Sequence, residues 1–305
     1  MSLFKIYFFL IVFTVFANFL YSSTYIDVYY KQINDKQYTF FANNSNFCPY
    51  QVLVKVEVPE GMQITDSLPF YKVVPPQQNN VYLFSILTND ITKDLKFKFN
   101  FNFSMGSPDL SNDVNFEYIF PFQENEEIKL TQAYNGRYSH KGWTKYSLDF
   151  GMNVGTPICA ARNGVVVAVK SDSSRGGRSY RYRYMANYII IYHDDGSFAS
   201  YMHLKKNGSL VKIGDRVNQG DLIGYSGNTG WSRGPHLHFM VYKPTVLSYQ
   251  TYATLFIGEN GLITELKSKT KYFSYHKKKE LIVSEGTVTN NQTDTEKQET
   301  DLGGL

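Results

Sequence analysis

Apolar and polar residues alternate strictly along several short stretches in the first third of the chain. The clearest is residues 95–103, in which every second residue is Leu or Phe and the residues between them are Lys or Asn. Val54, Val56 and Val58 alternate with charged residues in the same way, and residues 81–87 form another apolar run. Because successive side chains of a strand point to opposite faces, this period of two predicts β-strands.

Turn-forming residues separate these strands, and they lie at positions 43–45, 59–61, 75–76 and 88–90. Short strands with such regular turns are typical of a small β-sandwich, which we assign to residues 24–105. This part of the chain has no histidine and its acidic residues are scattered. We therefore expect no catalytic centre in it.

A second β-rich domain is predicted for residues 130–273. Its predicted strands are residues 164–169, 188–192, 197–202, 222–226 and 237–242. Residues 106–129 contain glycine, proline and a glutamate cluster, which predicts a connector. Residues 274–305 are mostly polar after a lysine run, and we expect a disordered tail because they cannot bury enough apolar surface to fold. The expected fold class is all-β, in two domains.

The amino terminus resembles an export signal. Lys5 precedes an apolar run at residues 6–20, which is shorter than a membrane span needs. We expect residues 1–23 to be a signal peptide that is removed, with an uncleaved anchor as the alternative. The processed protein would then lie in the periplasm or cell envelope without membrane contact.

Composition narrows the picture in three ways. The length of 305 residues indicates about two domains, and a hydrophobic content of 43% is enough for a packed core. The net charge of +4 is too small to indicate nucleic acid as a partner. Cys48 and Cys159 are the two cysteines. Export would permit a disulfide between them, and two buried thiols are the open alternative.

Four of the six histidines lie in the second domain beside glycine-rich turns: His140, His203, His236 and His238. Within a strand, His236 and His238 would share one face and Leu237 would point to the other. In residues 146–150 the apolar positions alternate, so Asp149 would face away from the core. His140, Asp149 and His238 would complete a set of three metal ligands, which leaves His203 and His236 free to move protons.

These residues resemble the three motifs of the lysostaphin/LytM-type zinc metallopeptidases. The motifs are His140 with Asp149, His203 within residues 200–204, and His236 with His238 within residues 235–239. The glycine-containing stretches 155–167, 214–220 and 223–230 match as well, so the resemblance covers roughly residues 130–245. One departure is the gap of eight residues between His140 and Asp149, which is wider than in the usual first motif.

The resemblance implies a duplicated hybrid motif, a two-layer antiparallel sheet with a groove. It implies that His140, Asp149 and His238 hold Zn2+ and that His203 and His236 are catalytic. Such enzymes are endopeptidases that hydrolyse peptide cross-links or stem peptides of bacterial peptidoglycan. In them a zinc-bound water attacks the scissile carbonyl, and the two histidines serve as acid, base and oxyanion stabiliser. The division of these roles between the two histidines stays open.

Other interpretations compete with this one. The alternatives are a non-catalytic peptidoglycan-binding protein, an activator of another hydrolase, and a structural envelope protein in which the first domain is the functional part. Residues 175–184 contain four arginines and three tyrosines, and they form either a solvated hairpin or a loop that contacts substrate. We expect His193 to be structural and His276 to be solvated. The oligomeric state and the peptide bond that is cut stay open.

Overall fold

The computed structural model describes residues 25–89 and 95–276. The predicted signal peptide and most of the predicted tail lie outside these ranges. Apart from strands, the described residues contain two short 3₁₀ helices, at Gly142–Thr144 and Tyr180–Met185. The expected all-β class is therefore confirmed. No helix in the described ranges has the length and apolar character needed to cross a membrane.

The first part of the chain forms two antiparallel sheets. Its strands are β1 (Ile26–Asn34), β2 (Gln37–Asn44), β3 (Tyr50–Val56), β4 (Gln63–Ile64), β5 (Phe70–Val74), β6 (Gln78–Leu87) and β7 (Phe99–Met105). One sheet has the order β1-β2-β6-β4 and the other has the order β5-β3-β7. Apolar side chains of both sheets pack into one core, and its buried members include Phe40, Val52 and Phe84.

The second part is built around one large antiparallel sheet. Its strands are β8 (Glu117–Tyr118), β9 (Glu127–Gln132), β10 (Ser147–Gly151), β11 (Pro157–Cys159), β12 (Gly164–Lys170), β13 (Gly176–Gly177), β14 (Asn187–Tyr192), β15 (Phe198–Leu204), β16 (Arg216–Val217), β17 (Leu222–Tyr225), β18 (Gly230–Trp231), β19 (His236–Thr245), β20 (Ser248–Thr251), β21 (Leu255–Gly258), β22 (Gly261–Ile263) and β23 (Lys271–Phe273). Nine of them form the large sheet, in the order β16-β12-β14-β15-β19-β10-β9-β23 with β20 beside β19.

The two faces of the large sheet are buried in different cores. Leu237 and Phe239 of β19 belong to a core that also contains Phe120 and Phe256. Met240, on the opposite face of the same strand, belongs to the core of the first two sheets. The histidine-bearing face of β19 therefore continues directly into the contact with the first part of the chain.

The segment predicted as a connector is packed into the structure. Tyr118, Phe120 and Phe122 are almost completely buried in the core of the second part. Residues 118–122 are Tyr, Ile, Phe, Pro and Phe and are all buried, so this apolar stretch is part of the core and not a linker. Cys48 and Cys159 are both buried free thiols, so the alternative without a disulfide is the one that the structure shows.

Candidate functional site

Strands β10 and β19 place the candidate residues opposite one another. Asp149 pairs with His238, and Gly151 pairs with His236. Paired residues of antiparallel strands have side chains on the same face. The structure therefore confirms the prediction that His236 and His238 share a face, while Leu237 is buried on the other side.

His140 reaches this face from the turn before β10. Its Nδ1 lies 2.9 Å from the carbonyl oxygen of Ala133. A carbonyl oxygen only accepts, so Nδ1 carries the hydrogen and Nε2 of the neutral ring has a lone pair. Nε2 is buried without a hydrogen-bond partner. Such an unpartnered buried group costs about 1–3 kcal/mol unless something binds to it.

Oδ1 of Asp149 is the atom on which the site converges. It lies 3.1 Å from Nε2 of His140, 2.8 Å from Nδ1 of His238 and 3.8 Å from Nε2 of His236. One ligand atom from each of His140, Asp149 and His238 lies within 4.8 Å of the others. The eight residues between His140 and Asp149 therefore do not keep the carboxylate from the two imidazoles.

This donor set fits a metal cation. The lone pair of Nε2 in His140 and the negative Oδ1 of Asp149 face each other at 3.1 Å, which is repulsive unless a proton or a cation lies between them. Two imidazole nitrogens and one carboxylate oxygen form a ligand set that zinc takes in catalytic sites. The type and the placement of these three ligand atoms are therefore suited to a metal cation.

A β-bulge aims His203 at the same face. Met202 pairs with Tyr188 and Leu204 pairs with Asn187, so His203 is an extra residue in β15. Its φ is +68°, in the left-handed region. Simple alternation would bury His203 beside Tyr201 in the opposite core, and the bulge reverses this direction. Such a conformation costs about 1 kcal/mol for a non-glycine residue.

Hydrogen bonds fix the orientation of both remaining histidines. Nδ1 of His203 donates to the carbonyl oxygen of Thr229 at 2.6 Å. Nδ1 of His236 donates to the carbonyl oxygen of Gly234 at 2.8 Å, with the hydroxyl of Ser232 at 3.2 Å. Each neutral ring therefore has its lone pair on Nε2. The two ring centroids are 4.6 Å apart.

Burial and neighbouring charges shift several pKa values in the site. Burial is the largest influence on Asp149 and would raise its pKa, but the surrounding histidines, among them His238 with its hydrogen bond from Nδ1 to Oδ1, outweigh it and hold the pKa well below its usual range. Burial, reinforced by His236 and His238, lowers the pKa of His203 to about 3. The site therefore pairs an ionised carboxylate with a neutral His203 at physiological pH.

Gln132 is a site residue that sequence reasoning missed. Its Nε2 donates to Oδ2 of Asp149 and to the hydroxyl of Ser139, both at 2.9 Å, and its Oε1 accepts the backbone N–H of Tyr138 at 3.1 Å. Gly136 leaves room for this side chain, since a Cβ there would lie 2.2 Å from Cγ of Gln132. Gln132 thus joins the carboxylate to the turn that carries His140.

A second bulge explains why alternation could not locate Gln132. Leu130 pairs with Phe150 and Gln132 pairs with Asp149, which leaves Thr131 as the extra residue. Regular alternation would place Gln132 on the core face with Leu130. The one signal in the sequence is a polar residue at a position where the pattern requires an apolar one.

The other two histidines lie away from the site. His193 is buried, and its Nδ1 donates to the carbonyl oxygen of Asn163 at 2.7 Å, in agreement with a structural role. His276 is half-buried, with Nε2 3.1 Å from the hydroxyl of Ser274, so it is less solvated than expected.

Residues 175–184 do not form a hairpin. Gly176 and Gly177 pair in parallel with Gly230 and Trp231, and a 3₁₀ helix follows. The glycines explain the difference, because a Cβ at Gly176 would lie 2.1 Å from the carbonyl oxygen of Asn228. The absence of side chains lets this segment pack closely against the neighbouring loop.

Residues 144–250 match the family model of Peptidase family M23. The chain contains an M23 peptidase domain. The matched range includes Asp149, His203, His236 and His238, and His140 lies just before it.

Relatives of this M23 domain include named endopeptidases. The chain is 43% identical over 125 residues to the glycyl-glycine endopeptidase ALE-1 of Staphylococcus capitis. The aligned region covers 38% of this chain and 32% of that protein. It is 41% identical over 91 residues to the peptidoglycan DD-endopeptidase ShyA of Vibrio cholerae. This aligned region covers 30% of this chain and 18% of that protein. The chain thus spans about a third or less of the length of these relatives.

A solved structure with a similar sequence is the catalytic domain of the antimicrobial peptidase lysostaphin from Staphylococcus simulans. The identity is 31%, the match covers 42% of this chain and 88% of that domain, and the TM-score is 0.29.

Proposed function

We propose that this protein is a zinc-dependent endopeptidase that hydrolyses peptide cross-links or stem peptides of bacterial peptidoglycan. The observation that carries the proposal is the convergence of His140 and His238 on Oδ1 of Asp149. The M23 match and the endopeptidase activities for which ALE-1 and ShyA are named support the choice of substrate. In this proposal, His140, Asp149 and His238 hold the metal.

The chemistry that zinc supplies when bound is a more acidic water and a polarised carbonyl group. Asp149 contributes negative charge, and Gln132 holds its second oxygen. His203 and His236 each present Nε2, which accepts a proton when the ring is neutral and donates one to the leaving amine when the ring is charged. Two charged rings at 4.6 Å would repel each other, so we expect only one of them to be charged at a time.

We also propose that the protein is exported and acts in the periplasm or cell envelope. The apolar run at residues 6–20 after Lys5 supports export. Peptidoglycan lies outside the cytoplasmic membrane, so export is also what this substrate requires.

The test combines metal content with hydrolysis. Purified protein loaded with zinc is incubated with isolated peptidoglycan, with and without a chelator, and released fragments are identified by mass spectrometry. We expect about one zinc per chain, release of peptide fragments, and loss of release with the chelator. Binding of peptidoglycan without any release would contradict the proposal and favour a binding protein.

Single variants separate the proposed roles. His140→Ala should lose both zinc and hydrolysis, because it removes a ligand. His203→Ala should keep zinc and lose hydrolysis by a factor of about 100 or more, which is typical of a lost proton-transfer group. His276→Ala is the control and should retain both. Full hydrolysis by the His203→Ala protein would remove this residue from the mechanism.

A further inference from the structure

An arginine-rich loop lies one short segment away from the candidate catalytic histidines. The backbone N–H of Gly230 donates to the carbonyl oxygen of Arg175 at 2.9 Å. The indole N–H of Trp231 donates to the carbonyl oxygen of Arg178, also at 2.9 Å. The same segment supplies the carbonyl oxygen of Thr229 to His203 and the hydroxyl of Ser232 to His236. Residues 229–232 are therefore hydrogen-bonded both to the arginine-rich loop and to the two histidines.

The same segment also reaches the turn that carries His140. The guanidinium carbon of Arg233 lies 5.0 Å from the ring centre of Tyr138, which is two residues before His140. Arg137 lies 4.8 Å from the same ring. Arginines therefore lie on the turn that carries His140 as well as on the loop bound to residues 229–232. We call Arg137, Arg175, Arg178, Arg181, Arg183 and Arg233 the arginine rim.

No acidic residue of the flanking sequence offsets the charge of the arginine rim. The stretches 131–148, 173–193 and 222–258 contain neither Asp nor Glu. Within the described part of the chain, none of the six arginines forms an ion pair. Protein surfaces ordinarily intersperse charges of both signs. A one-sided cationic surface next to a site attracts anions.

Tyrosine rings hold these arginines without neutralising them. Arg183 lies 4.5 Å from the ring centre of Tyr180 and 3.9 Å from that of Tyr184, and Arg181 lies 4.9 Å from that of Tyr182. A cation over an aromatic face keeps its charge and loses some mobility. Nη2 of Arg181 donates one hydrogen bond to the hydroxyl of Tyr182 at 2.9 Å, and the remaining N–H groups stay available to a carboxylate, which a guanidinium binds with two parallel hydrogen bonds.

We propose that the arginine rim binds free carboxylates of the substrate peptide, so that the enzyme prefers acidic stem peptides to uncharged ones. This inference rests on the proposed function, since it assigns the substrate class of the same site. An uncharged glycine bridge offers no group for these arginines, whereas an acidic stem peptide offers one at each free carboxyl group.

The test compares two substrates that differ only in charge. One is a cross-linked peptide dimer with free carboxylates, and the other is the same dimer with those groups converted to amides. For the zinc-loaded full chain we expect kcat/KM about tenfold higher, and binding measured by fluorescence anisotropy about tenfold tighter, on the acidic dimer. The double variant Arg181→Gln/Arg183→Gln should lose most of this preference in both measurements.

Lys212→Gln/Arg216→Gln is the matched control, because both residues are exposed and lie outside the arginine rim, and the variant also removes two positive charges. It should keep the preference. Equal preference in wild type and the double variant would overturn the inference, as would equal binding of both dimers by the wild type. The binding measurement tests the arginine rim even if neither dimer is cleaved. Absence of cleavage would count against the proposed function and not against this inference. The double variant could instead lose binding only to wall polymers that carry phosphate and keep its preference between the dimers. That result would also overturn the inference.

Discussion

Gln132 is a neutral side chain that orients Asp149, one of the proposed metal ligands. It binds Oδ2 of Asp149 and thereby leaves Oδ1 directed at the histidines. Residues that orient a metal ligand typically affect metal affinity by a factor of about 10–100. The contribution of Gln132 should therefore be measurable in metal binding, without any assay of hydrolysis.

We expect Gln132→Glu to weaken zinc binding by about 10–100-fold, because a carboxylate keeps the shape of the side chain but has no hydrogen to donate to Asp149. Zinc affinity is measured by competition with a chromogenic chelator. Gln250→Leu, on an exposed position of β20, is the control and should bind zinc like the wild type. Thermal unfolding of the metal-free proteins separates this effect from loss of folding. Unchanged zinc affinity in Gln132→Glu would show that Gln132 has no such role.

His193 gives the protein a pH dependence of stability that is independent of the proposed metal ligands. Burial, and to a smaller extent Arg162, lower the pKa of His193 to about 4 from 6.5. The unfolded chain binds this proton below about pH 6.5, whereas the folded protein binds it only below about pH 4. Stability therefore falls as the pH is lowered through this window, by up to about 3 kcal/mol for this group.

The variant His193→Gln should reduce the slope of stability against pH between about pH 6.5 and 4, since Gln keeps an N–H donor for Asn163 but does not titrate. Denaturant unfolding of both proteins at several pH values provides the slopes. At pH 7 the variant should be the less stable of the two because of altered packing. Parallel slopes across the window would show that His193 does not titrate as inferred.

At the scale of single elements, the alternation of apolar and polar residues predicted the strands well, but it predicted neither their exact starts nor their β-bulges. Strand β19 starts at His236, close to the predicted start, and presents His236 and His238 on one face. The predicted strand at residues 95–103 begins only at Phe99, because Phe97 leaves the ladder and packs edge-on against Tyr30 and Tyr38. Local patterns report on which residues are buried, and pairing partners decide where a strand begins.

The two bulges are the elements that the sequence could not predict. A bulge adds one residue to a strand and reverses the face of every residue after it. The bulge at Thr131 directs Gln132 to the site, and the bulge at His203 directs its own imidazole there. Neither has a glycine or other local signal at the extra residue. Motif resemblance located His203, whereas alternation alone would have placed it in the core.

At the scale of the whole molecule, the first part of the chain is a structural neighbour of the site. Met240 lies two residues after His238 on the same face of β19 and packs in the core of the first two sheets. The amide of Asn46 also donates to the carbonyl oxygen of Val167 at 3.1 Å. We propose that residues 24–105 are a domain whose core is completed by the large sheet, and that it supports the strand carrying His238.

Gly106 tests this support, because it lies at the junction of the two parts. Its φ is +89°, and a Cβ there would lie 2.3 Å from Cγ of Pro244 and 2.8 Å from Cε2 of Phe198. Gly61 is a matched control with φ of +81° and open space around it. Alanine at Gly61 should cost about 1 kcal/mol through backbone strain alone. Alanine at Gly106 adds a steric clash and should cost about 3 kcal/mol in total.

Calorimetry of the two variants decides whether the parts act as one unit. If they share a core, Gly106→Ala should lower one common unfolding transition and also weaken zinc binding, because the strand that carries His238 loses its support. Gly61→Ala should lower the transition less and leave zinc binding unchanged. Two separate transitions, of which only the first moves in Gly106→Ala, would mean that the first domain is an independent neighbour of the site. A single transition that moves together with zinc affinity would show that the contact of Gly106 with Pro244, which lies on β19, couples the stability of the two parts.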